Sequence, residues 1–191
     1  NRVFFHFFIA MTAYGFFDVA IHQYGLEFLW AGRAEWNMRS PGFFLAIAGA
    51  ASALLVSHLL QLRRYSFWQE RAMMFLAGVL LLIAFLQLIL PYSQVVPVTN
   101  VLVMATVLLS LLMTALSAWR RQRNAGWMLF AFVLLWFISL LRIAQIFGWL
   151  PYSLFGGYAQ SWSMVLSGAV LAGVSLDIVR QLRLDRARSR E

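Results

Sequence analysis

Six apolar stretches, each long enough to cross the hydrocarbon core of a bilayer, divide this chain, and the gaps between them alternate in charge. A helix rising about 1.5 Å per residue needs roughly 20 apolar residues for that crossing. The stretches run near 3–24, 41–62, 72–90, 98–118, 127–147 and 157–178. All 15 basic side chains are arginine, and most of them fall in every second gap: Arg63, Arg64 and Arg71, then Arg120, Arg121 and Arg123, then the tail with Arg180, Arg183, Arg186, Arg188 and Arg190. The gaps 91–97 and 148–156 carry no charge, and 25–40 balances Arg33 and Arg39 against Glu27 and Glu35. The positive-inside rule makes the basic gaps cytoplasmic and puts both ends of the chain inside.

Apolar residues make up 62% of the chain and charged ones 12%, which excludes an ordinary soluble domain. The apolar runs are continuous rather than alternating, which excludes a β-barrel. The fold class expected is therefore all-α: a polytopic bundle of six transmembrane helices. The net charge of +8 could suggest nucleic acid, but arginines at span edges face anionic lipid headgroups, so the partner expected is the bilayer and not nucleic acid. There is no cysteine, hence no disulfide, thiolate metal site or cysteine nucleophile. The chain begins at Asn1 and is read as a piece of a longer polypeptide, its first run being a span rather than a signal peptide. Loops are short, so residues 1–180 form one membrane domain and 179–191 a juxtamembrane helix leading onward.

Aromatics mark the interfaces, with Trp30, Trp36, Tyr92, Trp149 and Tyr152 on the outer side and Tyr65, Trp68, Trp119 and Trp127 on the inner side. Ser167, Gly168, Ala169, Ala172 and Gly173 make a small-residue patch in the last span, suited to close packing within the bundle or to a dimer face. Beyond Ile178 the pattern turns basic without Gly or Pro up to Arg190, so a helix carrying Asp177, Arg180 and Arg183 leaves the membrane as a lever, or simply as an orienting arginine cluster.

Polar groups inside spans cost about 2.5 to 3.5 kcal/mol when charged at the centre, so each calls for a partner or a wet cavity. Asp18 and Arg142 lie at similar depth in the outer half of two outward-running spans; His22 and Gln145 follow them by one turn and three residues, and Gln87 and Gln160 share that depth. An outer polar cluster around an Asp18–Arg142 ion pair is one reading; a structural buried pair, or an arginine reaching for headgroups, is the other. Toward the inner face, His6 and His58 sit at matched depth, where two histidines could hold a haem or simply make interfacial hydrogen bonds. Retinal is excluded because its Schiff base needs a lysine. No hydrolase elbow, zinc-protease motif, phosphate-binding loop or carboxylate pair is found, so neither a catalytic site nor a cofactor is expected within these residues.

The run Tyr24-Gly25-Leu26-Glu27-Phe28-Leu29-Trp30, followed by Glu35-Trp36-Asn37-Met38-Arg39-Ser40, resembles the bacterial seven-transmembrane receptors with diverse intracellular signalling modules. The likeness extends through Arg120-Arg121-Gln122-Arg123-Asn124-Ala125, Gly148-Trp149-Leu150-Pro151 and Ser175-Leu176-Asp177-Ile178-Val179-Arg180. Trp36, Asn37, Arg39 and Ser40 are its most specific part. The resemblance implies a periplasmic sensor domain ahead of seven helices and a diguanylate cyclase, histidine kinase or phosphatase module behind them. It also implies an inner-membrane homodimer with a cytoplasmic carboxyl end. Six spans rather than seven imply that the first helix precedes Asn1. Ser161-Trp162-Ser163-Met164 departs from the small residues of the family early in the last helix. The function expected is a receptor domain relaying a periplasmic signal; a transporter using Asp18, His22 and Arg142, or a haem- or quinone-linked redox protein, are the other readings.

Overall fold

The computed structural model describes residues 2–62, 67–120, 125–146, 151, 165–177 and 180, without the side chains of residues 2, 92, 135, 136 and 138–146. The described residues contain helices and turns and no strand. The helices are α1 (Arg2–Ile21), α2 (Ala34–Leu59), α3 (Phe67–Ile89), α4 (Tyr92–Trp119), α5 (Ala125–Ile146) and α6 (Val165–Asp177). The stretches Val3–Ile21, Ala34–Leu59, Phe67–Ile89 and Ser93–Trp119 are long and apolar enough to cross a membrane. Shorter apolar helical segments occupy Ala125–Leu134 and Val165–Asp177. Each of the six expected spans overlaps one of these helices, and residues 157–164 of the last lie outside the described residues.

The chain divides into two compact units, Asn1–Met113 and Thr114–Glu191. In the first, α2 is the central helix, and its sequence explains why. Gly42, Ala46, Gly49, Ala53 and Val56 recur at helical spacing and are all buried. On that face the side chains of Leu80 of α3 and Val103 of α4 come up against Gly49, the closeness that small residues allow in a membrane helix pair. A second face carries Phe44, Ser52 and His58 to α1, where Phe44 stacks on Phe16 at 5.0 Å and Ser52 hydrogen-bonds Tyr14.

The outward faces are built the other way round from a water-soluble bundle. On α4, Val101, Met104, Leu108 and Leu112 are exposed, while Thr99, Thr106 and Ser110 are buried. The buried hydroxyls bond carbonyls of their own helix one turn back, at Val95 (2.9 Å), Leu102 (2.8 Å) and Thr106 (2.7 Å). An apolar exterior over a hydroxyl-lined interior is stable when the surrounding solvent is lipid. Trp68, Trp119 and Trp127 are exposed at helix ends, as interfacial anchors require.

Several boundaries differ from the sequence reading: α3 begins at Phe67 rather than at residue 72 and α4 at Tyr92 rather than at residue 98, so most of the gap 91–97 is helical, and two further differences bear on the junction described below. The first span ends at Ile21 rather than at residue 24, because Gln23 takes a left-handed φ of 62° that a continuing helix does not allow. The second helix begins at Ala34, seven positions before Pro41, so Trp36–Ser40 is helical and not a loop. Proline suits the first helical position because it has no N–H to offer. Here Pro41 lies inside the helix and leaves the Asn37 carbonyl without its main-chain donor. The Ser40 hydroxyl donates to that carbonyl instead, at 3.2 Å, and lets the helix run through.

Candidate functional site at the shared helix end

The start of α2 meets the end of α1 on one side and the end of α3 with the start of α4 on the other, and the connection from α1 to α2 packs on α1 and α2. Gly25–Leu29 form a π-helical turn closed by the Trp30 N–H on the Gly25 carbonyl at 2.8 Å. The Trp30 indole lies so close over Gly25 that a Cβ there would overlap it. Its Nε1 donates to Asn37 Oδ1 at 3.1 Å, and its ring meets Trp36 edge-on at 6.3 Å and Phe44 at 6.4 Å. Trp36 in turn contacts Phe43 and Phe44. Tryptophan supplies both an apolar plate and a donor, which suits it to a membrane edge where one side of the ring system is dry.

Arg39 leaves this aromatic group and crosses to α3. Its Nη2 donates to Glu35 Oε1 at 2.6 Å and its Nη1 to the Leu88 carbonyl at 3.1 Å. Leu88 is in the last turn of α3, where carbonyls have no helical donor, and a cation there also meets the negative end of the helix dipole. Pro91 ends any continuation of that helix.

One residue earlier, Gln87 reaches inward. Its side chain is 3% exposed, and Nε2 donates to Thr99 Oγ1 at 2.9 Å. The amide oxygen faces the backbone of Gly42, where a Cβ would overlap it, and has no hydrogen-bond partner among the described residues. Gln87 is thus wedged among α2, α3 and α4.

Of the outer residues picked from sequence, Asp18 and His22 are together. The His22 Nδ1 lies 2.9 Å from the Asp18 carbonyl and 3.6 Å from its carboxylate, and the ring stacks on Tyr24. Arg142 and Gln145 are on α5 with side chains outside the described residues, and Gln160 and Arg183 lie outside them altogether. Asp177 ends α6, and Arg180 is helical and exposed. Of the family-like residues, Trp36, Asn37, Arg39 and Ser40 all take part in the junction. The sequence reading missed Trp30 as the donor to Asn37, and Gly42, Leu88 and Thr99 as partners. Gly42 next to Pro41, and the hydroxyl spacing 99, 106 and 110 on one helical face, were the available signals.

At the opposite end of α1 and α2, His6 and His58 are brought together with ring centroids 5.0 Å apart, edge to face. Axial ligation from both sides puts an iron and a flat macrocycle between two imidazoles, and rings in contact leave no space for one. Among the described residues no group of three or more His, Cys, Asp or Glu side chains is placed to hold a metal.

A model of the seven-transmembrane diverse intracellular signalling family matches residues 1–175. The chain belongs to this family. It is a multi-pass membrane protein whose helices are embedded in lipid, and its family is one of transmembrane signalling receptors. No curated protein and no solved structure matches this chain. The segment by which the family was first recognisable, Trp36 to Ser40, is the one that ties α2 to the aromatic turn and to α3.

Proposed function

We propose that residues 1–180 are the relay of a bacterial inner-membrane receptor, passing a periplasmic signal to a cytoplasmic diguanylate cyclase, histidine kinase or phosphatase module of the same polypeptide. The observation that carries this reading is the Arg39–Leu88 contact. A polar side chain at the face assigned to the outside by arginine distribution holds the end of another span, so anything that engages it acts on helix packing. A relay needs two packings of one bundle with different affinities for the signal, and a receptor-proximal clasp biases them. Asp18, His22 and Gln87 lie with Arg39 in the outward halves of their helices and belong to the receiving end. The helix carrying Asp177, Arg180 and Arg183 is the delivering end, and in a homodimer its rotation or spacing sets the geometry of the output pair.

These 191 residues hold no cysteine, so once any cysteine elsewhere in the full polypeptide is replaced, cross-linking reports the introduced positions alone. Single cysteines placed in turn at positions 176, 180 and 183 of the full polypeptide should form disulfides across the dimer. Output, read as cyclic dinucleotide formation or phosphotransfer, should be locked high in one register and low in another. Equal output in every cross-linked register would remove the relay reading.

A further inference from the structure

The Gln87 amide is bonded at one end and, among the described residues, unpaired at the other. One end is engaged: Nε2 donates one N–H to Thr99 Oγ1, whose own proton goes to the Val95 carbonyl. The other end, Oε1, is buried against Gly42 without a hydrogen-bond partner among the described residues. A buried acceptor left unpaired raises the free energy of the packing that contains it, so such a group calls for a strain reservoir, an ordered water or a second arrangement in which a side chain pairs it.

The donor for that second arrangement is next to it in the fold. Arg39 precedes Gly42 by three positions and so lies on the same side of α2, one turn toward the helix start. Its guanidinium already reaches α3 at Leu88, the residue after Gln87. A guanidinium presents five N–H donors in a planar fork, more than the two contacts with Glu35 and Leu88 use. Glu35, whose side chain is 81% exposed against 22% for Arg39, holds the guanidinium toward the helix start.

We propose that Arg39 and Gln87 form a two-position latch. In the outward position the guanidinium binds Glu35 and caps the Leu88 carbonyl. In the inward position it leaves Leu88 and donates to Gln87 Oε1. The exchange swaps an orphaned amide oxygen for an uncapped helix carbonyl, and drawing the guanidinium inward adds a desolvation cost that makes the inward position the minor one. Neutralising or occupying Glu35 favours the inward one. Because Gln87 also holds Thr99, the inward position changes the load on α4 at Pro97, where the helix lacks one main-chain bond. The latch rests on the receptor reading only for its purpose, since the exchange itself is a property of these side chains.

The test reads the side chains and not the output. The full-length protein, labelled with 15N-glutamine and reconstituted in lipid nanodiscs, gives a side-chain amide resonance for Gln87 that Gln87→Met identifies by its loss. Relaxation dispersion, which sees microsecond-to-millisecond exchange, should show two states in the wild type. Glu35→Gln, an exposed change that leaves the fold intact, should at least double the share of the second state. Arg39→Gln should abolish the exchange. A Gln87 resonance without exchange in both the wild type and Glu35→Gln overturns the latch, as does exchange that persists unchanged in Arg39→Gln. Exchange that follows Glu35 while output ignores it supports the latch and counts against the relay instead.

Discussion

Arg39 of α2 donates from Nη1 to the carbonyl of Leu88, 49 positions away in the chain, at 3.1 Å. The same guanidinium pairs with Glu35 one turn back on its own helix at 2.6 Å. The first contact joins two spans and caps a helix; the second is an exposed pair within one helix. Their energetic weights therefore differ.

Arg39→Ala should lower stability by about 2 kcal/mol, the low end of the sum of a charge-assisted hydrogen bond and a favourable dipole contact because the contact is exposed. Glu35→Gln removes only an exposed i,i+4 pair, worth about 0.3–0.5 kcal/mol. Thermal unfolding in one detergent measures both. Equal losses would mean that the Leu88 cap contributes nothing.

Ser40→Ala should cost about 1 kcal/mol, because it leaves the Asn37 carbonyl without a donor inside a helix. Adding Pro41→Ala restores a main-chain N–H at the right position, so the double variant should be more stable than Ser40→Ala alone. A double variant that is worse would show that the Ser40 hydroxyl has another task.

Gly25→Ala forces the Trp30 indole aside and should cost about 1–3 kcal/mol through overpacking, with loss of the bond to Asn37. Gly78→Ala is the control: nothing lies within 4 Å of a Cβ there, and the residue is inside α3. Alanine at position 78 should be neutral or stabilise by up to about 1 kcal/mol through helix propensity. The melting temperature should fall for Gly25→Ala and hold or rise for Gly78→Ala.

Leu82→Arg places a charge on the exposed apolar side of α3 near its middle. Membrane insertion of that helix should become less favourable by about 2.5–3.5 kcal/mol. Trp68→Arg, at the start of the same helix, should insert nearly as well as the wild type. Glycosylation-site mapping of the inserted helix separates these outcomes.

Much of this fold was legible because length and polarity decide it: an apolar run that can cross lipid has to satisfy its backbone internally, and a helix does so. The family was legible at Trp36 to Ser40. The structure of that segment was not, since a proline and balanced charges read as a turn until the Ser40 hydroxyl is seen replacing the missing bond. Gln87 was picked out by depth alone. Its partners depend on the rotation of three helices about their axes, and no pattern within one helix shows that Gly42, Thr99 and the Leu88 carbonyl share a corner. Arg39 looked like one half of a balanced loop; its reach across to α3 is a tertiary fact. Asp18 and His22, one turn apart on one helix, were found together because spacing alone sets that relation.

The central claim is that the junction of Arg39 and Gln87 is coupled to an output. The most direct measurement is the basal output of the full polypeptide with Arg39→Ala and with Gln87→Met, at equal membrane levels, beside the wild type. Both variants should shift output several-fold and blunt its dependence on outside conditions. Output identical to the wild type in both variants would contradict it.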